Sequence, residues 1–460
     1  MAEAREPKPR GADDSRDDRD WPRPAQGWYA VGVLIVVYLV ALVDRQIMTL
    51  LVQPIRRDLG LSDTQLSLLI GLAFAAFYTV LGVPIARLAD RRPRRTIIAV
   101  GVFFWSLATA ACGVAQNYWQ LFLARMGVGV GEATLQPSAY SMLADLFPPR
   151  QLGRAIGTYA SGLFLGGGLA LIVGGAVIKA LSGTQVVTLP VFGDIYAWQV
   201  AFLVVGLPGV LLSIVVMTTV KEPPRRGLSR AADGPAAAGQ LRPFMRENAR
   251  TLTAIFAAFS LGGIAVVGYL AWLPELIRRN YGWHIADIGF VFGLQMAVFG
   301  SAGTLFGGWY VDRLTRRGHQ DAALRASIVA FVLLVPLVVV PPLMTNATVG
   351  VALLAPLMFV IGMQQGYSPM ALQLIAPNEL RAQVVAVYFL VAQICAIGFG
   401  PTVFALVTDY VFGRDDALRW SMAIVGGACC LLALAAIVWG RPAYRDSVNR
   451  AEQWRGRRAG

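Results

Sequence analysis

Histidine occurs only twice in the 460 residues, at His284 and His319, cysteine four times, and charged residues make up just 15% of the chain. So little histidine excludes a clustered His metal centre and a His-activated nucleophile, so neither a metal, a cofactor nor an enzymatic reaction is expected. Both histidines fall in loops between apolar runs, on opposite sides, so neither is placed to carry a proton inside a membrane. Cys112, Cys395, Cys429 and Cys430 all lie within apolar runs, which excludes a disulfide framework. The N-terminal stretch is too rich in acidic residues for a signal peptide, and the first apolar run is not followed by a small-residue cleavage site.

What the chain has instead is hydrocarbon. Hydrophobic residues reach 56% and mean hydropathy is +0.57, more than compact soluble cores can hide. Runs of about 20 residues match a helix crossing ~30 Å of hydrocarbon. Twelve are expected, at 28–53, 64–87, 96–115, 119–143, 154–180, 197–219, 250–276, 286–311, 324–344, 349–373, 382–408 and 419–440. Residues 1–27, dense in Arg, Asp and Pro, read as a disordered tail. A linker at 220–249 separates two six-helix units, 28–219 and 250–440, and a basic tail at 441–460 closes the chain.

Of the 40 basic residues, 31 fall in the tails and even-to-odd loops and 7 in the opposite loops, counting adjoining span ends. Basic residues are retained on the cytoplasmic side, so both termini are expected there, in the inner membrane if the source is bacterial. The net charge of +13 is thus a topology signal that also suits anionic headgroups, and it gives no reason to expect nucleic acid. A monomer among membrane lipids is the expectation.

The halves repeat. At an offset of 222 residues Gly60 meets Gly282, Gly71 meets Gly293, Asp90 meets Asp312, Arg91 meets Arg313, and Arg94–Arg95 meet Arg316–Arg317. At 229, Pro148 meets Pro377 and Tyr159 meets Tyr388. Two bundles related by a pseudo-twofold axis along the membrane normal are an arrangement of secondary transporters, with the binding site between the halves.

Within the spans the central charges are Asp44 and Arg45 in the first and Arg125 and Glu132 in the fourth. Each costs at least ~2.5–3.5 kcal/mol on insertion scales, so they must face inward and be paired or wetted. Arg125 and Glu132 share a helix face but lie ~10.5 Å apart along it, whereas Asp44 and Arg45 diverge by ~100°. The expected pairs are Asp44 with Arg125, and Arg45 with a deeper Glu132. Asp44 and Glu132 are the candidate proton carriers. Arg45 and Arg125 are their charge partners, one of them free for an anionic headgroup. The C-terminal spans offer only neutral cavity candidates, Gln295, Gln364, Gln365, Tyr367 and Gln393. A charged wall facing a neutral one suits an amphiphilic or anionic small molecule. Ser62 with Gln65 reads as a capping box opening the second span.

The motif "ARLADRRPRRTII" at 86–98 and its repeat "GWYVDRLTRRG" at 308–318 resemble the duplicated loop motif of the major facilitator superfamily. "LVDRQI", "RMGVGVGEA" and "LADLF" further resemble its Spinster-like branch. The resemblance implies an all-α membrane fold of twelve helices and alternating access. It also implies proton-linked movement of a lipid or lysolipid, or else of an organic anion or drug. It gives the loop motif a mechanical reading: Asp90, Arg91, Arg94, Arg95, Asp312 and Arg313 would form a gate clipping the halves together on the cytoplasmic side. Asp90 would act there, against the start of the eleventh span after "PNELRAQ".

Overall fold

The computed structural model describes residues 21–89, 92–160, 162–181, 186–189, 193–225, 235–365, 367–377 and 380–459. Eleven helices among the described residues are long and apolar enough to cross a membrane. The remaining span, the fourth, is two helices, Tyr118–Glu132 and Leu135–Leu146, parted by a turn at Ala133–Thr134. Neither piece alone is long enough, but end to end they cross.

The first span is Pro24–Leu50, the third Arg94–Cys112, the sixth Ala197–Thr219, the seventh Ala249–Tyr281, the ninth Ala322–Leu343 and the twelfth begins at Leu418. Local sequence sets several of the boundaries. Ser62 accepts from the Gln65 amide while the Gln65 side chain accepts from the Ser62 amide, the expected capping box. Asn117 and Asn346 cap the fourth and tenth spans through side-chain oxygens. Gly60 and Gly282, paired by the repeat, close the helices Val52–Leu59 and Ala249–Tyr281 at φ of 63° and 68°, left-handed values that favour glycine.

Three elements were not expected from hydropathy. A β-hairpin, Val186–Leu189 against Gly193–Tyr196, projects between the fifth and sixth spans and gives that end of the molecule a marker. The linker contains a helix, Pro235–Glu247. The last helix runs on through the basic tail to Ala459. Its Arg441 and Arg445, together with Arg325, converge on the buried carboxylate of Asp321.

The halves meet along the fifth span against the eighth and the second against the eleventh. At Gly168 and Gly293 the missing Cβ of each would fall on the other's carbonyl oxygen, so the fifth and eighth spans touch backbone to backbone. Gly71, the repeat partner of Gly293, does the same on the other side, where a Cβ would lie 2.5 Å from the Ile397 oxygen.

Candidate functional site

Arg45 and Glu132 form the central ion pair. The Arg45 Nε and Nη2 both lie 2.6 Å from the same Glu132 oxygen, Oε2. The Arg45 guanidinium rests over the rings of Phe74 and Tyr78, 4.5 and 5.0 Å from their centroids. The glycines beside Glu132 make this possible. A Cβ on Gly129 would strike the Phe74 carbonyl, and one on Gly131 would lie 2.6 Å from the Trp105 Cβ. Small residues in "GVGVGE" thus let the second and third spans close on the fourth and carry Phe74 beneath Arg45.

Asp44, one residue back, points elsewhere, as the helical turn of ~100° dictates. Its carboxylate is fully buried, and neither oxygen has a hydrogen-bond partner among the described residues. The expected side-chain pair between Asp44 and Arg125 is not formed. Arg125 spends its donors on main chain instead, on the Asp44 carbonyl at 3.3 Å and the Leu69 carbonyl at 3.4 Å. The physical reason is that both helices pass close enough for Arg125 to reach the backbone of the first and second spans before it reaches the carboxylate. The expected wetted pocket is also narrower than foreseen: Asp44, Arg125 and Glu132 are at most 1% exposed. Arg45, with 27% of its side chain exposed, is the member of the quartet that meets the outside.

A tyrosine cluster escaped the sequence reading. Tyr38 stacks on Tyr159 at 5.5 Å, and Tyr140 meets Tyr159 edge-on at 5.5 Å. Tyr38 is seven residues before Arg45, and Tyr140 eight after Glu132, so both sit on the linker side of the ion pair on the faces that carry it. The seven-residue spacing of Tyr38 from Arg45 was the available signal.

The neutral candidates divide. Gln295 donates to the Val351 carbonyl at 2.9 Å, and Tyr367, 2% exposed, donates to the Gly307 carbonyl at 3.3 Å. Both bonds tie the eighth span to the tenth. Gln364 and Gln393 are half-buried and Gln365 is exposed.

The gate motif is described only in part. Asp90 and Arg91 lie outside the described residues. Arg94 is buried and bonds Asp145, the Ser141 carbonyl at 2.9 Å, Glu222 at 2.9 Å and the Pro223 carbonyl at 3.1 Å. The Arg95 amide donates to Glu222 at 2.8 Å. These partners lie on the fourth span and at the start of the linker just past the sixth, so in this form the two arginines fasten the third and fourth spans to the beginning of the linker. Asp312 and Arg313 are exposed, with Arg313 over the Trp309 ring.

The clip lies at the other end, around the hairpin. Arg279 of the seventh span donates to both oxygens of Asp63 at 2.8 and 2.9 Å. Arg56 holds Asp415 at 2.6 and 2.8 Å. The Thr64 amide and hydroxyl both donate to Asp409 at 2.7 Å. Glu275 steadies Arg279 from one turn before it, at 2.5 Å. Among the described residues, the hydrogen bonds and ion pairs that join the halves all lie at this end. The protein is therefore shut at the hairpin end, and Arg45 is reached from the linker end, an inward-facing form if the basic loops are cytoplasmic.

A family model described as the Major Facilitator Superfamily matches residues 34–400. A protein described as an MFS-type efflux pump of Mycolicibacterium smegmatis is 28% identical over 92% of this chain and 96% of its own. A probable L-galactonate transporter of Escherichia coli is 25% identical, covering 91% and 90%. Human protein spinster homolog 1 is 29% identical over 56% of this chain and 47% of its own. Among solved structures, a bacterial homologue of the human lysosomal transporter Spinster superposes with a TM-score of 0.74 at 23% identity. It covers 94% of this chain and 99% of that one, which supports the fold.

Proposed function

The chain belongs to the Major Facilitator Superfamily and is a multi-pass membrane transporter; from that premise we propose that it couples protons to the movement of an anionic, lipid-like amphiphile by alternating access. The observation that carries this reading is the Arg45–Glu132 pair, with Glu132 buried, Arg45 partly exposed and cradled by aromatic rings, beside the fully buried carboxylate of Asp44.

The chemistry runs through competition. Glu132 as a carboxylate satisfies Arg45. A proton placed on Glu132 cancels its charge, and the freed guanidinium then takes the anionic group of the cargo, a charge-assisted contact stronger than a neutral one. A second proton on Asp44 removes a fully buried charge that has no ion-pair partner among the described residues. Tyr78, which is only partly buried, is the ring beside Arg45 placed to meet the apolar part of the cargo. When the halves rock, loss of the Glu132 proton returns the carboxylate to Arg45 and expels the anion.

A small organic acid such as a sugar acid is the second reading, favoured by likeness to the L-galactonate transporter over nine-tenths of both chains. Proteoliposomes with an imposed pH gradient test both: uptake or release of a lysophospholipid supports the first and of galactonate the second. Movement of either without any response to the gradient would overturn proton coupling.

A further inference from the structure

A second feature lies away from the central pair, where the linker helix meets the seventh and eleventh spans. Ala249, Leu252, Thr253, Phe256, Ala257 and Ser260 recur at the i, i+3 and i+4 spacings of one helix face, and Met245 of the linker helix continues it, so they form a single stripe. Val391 and Cys395, one turn apart on the eleventh span, face that stripe across a groove of about 440 Å³. Its lining side chains are hydrocarbon apart from two hydroxyls, a thiol and the thioether of Met245. From Ala249 to Ser260 the helix rises ~16 Å, about half of a ~30 Å hydrocarbon slab, the depth of one leaflet.

At the shallow end Met245 also borders a second, wider space lined by Leu241, Arg242, Pro243 and Arg246. Arg242 and Arg246 are one turn apart, both exposed, and neither has an ion-pair partner among the described residues. The nearest acid in sequence, Glu247, is engaged by Arg450 at 3.6 Å, and Arg250 is drawn away to the Trp439 carbonyl and ring. Two unanswered positive charges therefore stand at the mouth of an apolar slot one leaflet deep.

We propose that the groove between the seventh and eleventh spans holds one acyl chain of an anionic phospholipid from the surrounding leaflet, its phosphate gripped by Arg242 and Arg246. Charge and depth both select that occupant. The mouth asks for an anion, and the slot ends where a leaflet's chains end. The site is separate from Arg45 and stands whether or not the cargo is a lipid.

The test is native mass spectrometry of the full-length protein titrated with phosphatidylglycerol, phosphatidylcholine or glycerol 3-phosphate. A preference for phosphatidylglycerol is expected, falling about five-fold for each arginine in Arg242→Gln and Arg246→Gln, the equivalent of ~1 kcal/mol per basic residue near a membrane surface. Ala257→Phe, which fills the slot, should weaken both phospholipids together. In a Cys429→Ser background, alkylation of Cys395 should be slowed by phosphatidylglycerol and not by glycerol 3-phosphate. Equal binding of the two phospholipids would overturn the headgroup assignment. Unchanged binding in Ala257→Phe, or Cys395 protection by glycerol 3-phosphate alone, would overturn the groove.

Discussion

Arg279 and Asp63, 216 residues apart, are joined by two parallel hydrogen bonds across the two halves of the molecule, with Asp63 fully buried and Arg279 nearly so. Removing one partner of such a pair strands the other charge, typically at ~3–5 kcal/mol. Arg279→Ala should therefore depopulate the form closed at the hairpin end. Spin-label distances between the second and eleventh spans at that end should lengthen, and a charge swap, Asp63→Arg with Arg279→Asp, should restore them in part. Unaltered distances in Arg279→Ala would remove this contact from the gate.

Asp44 and Glu132 should separate in their effects on stability. Neither Asp44 oxygen has a hydrogen-bond partner among the described residues, so Asp44→Asn costs little, and the thermal midpoint in detergent should move by only a degree or two. Transport in Asp44→Asn should nonetheless lose its dependence on the pH gradient. Glu132→Gln instead strips Arg45 of its charge partner and should bind cargo without releasing it, seen as retained ligand binding with transport down at least about tenfold.

Arg45→Lys keeps the charge but gives up the planar group that lies over Phe74 and Tyr78 and presents two nitrogens to one oxygen. Cargo affinity should fall by about tenfold, measured by ligand-induced stabilisation. Affinity equal to the parent protein would reduce the role of Arg45 to charge alone.

Asp321 anchors the start of the ninth span to the end of the twelfth. Burial works against its charge, but hydrogen bonds from Arg441 and Arg325, with Arg445 behind them, hold its carboxyl down at about 2. A folded-state value below the unfolded one means the stabilisation is in full force above the ordinary carboxylate range and is lost as pH falls through about 2. The contribution is on the order of 2 kcal/mol and should be constant from pH 5 to 8. Asp321→Asn should lower the detergent melting midpoint by a few degrees, equally at pH 5 and pH 8. A penalty that grows between those values would point to another group.

The membrane fold was legible because apolar run length and the duplicated "DRxxRR" loops report directly on span number and pairing. The Ser62 cap was legible for the same reason, being a relation between neighbours in sequence. Side-chain destinations were not. Asp44 and Arg125 were correctly seen as close in depth, but depth says nothing about whether a guanidinium ends on a carboxylate or on the carbonyl beside it. Arg56, Asp63, Arg279 and Asp415 counted only as loop or span-end charges, because their pairing depends on how two distant hairpins meet in space. Arg94 illustrates the converse: the motif was found, yet its partners, Asp145 on the fourth span and Glu222 at the start of the linker, are set by tertiary packing.

The bare meeting of Gly168 with Gly293 bears on how such a molecule moves. Two surfaces that touch through main chain at their centre, with few bulky side chains such as Phe164 and Met296 beside it, can roll over one another with little to unlock, while each half keeps its own internal fastenings on Arg94 and on Asp321. The fifth and eighth spans thus serve as a fulcrum for two stiff levers, and leverage of that kind forbids both mouths from standing open at once.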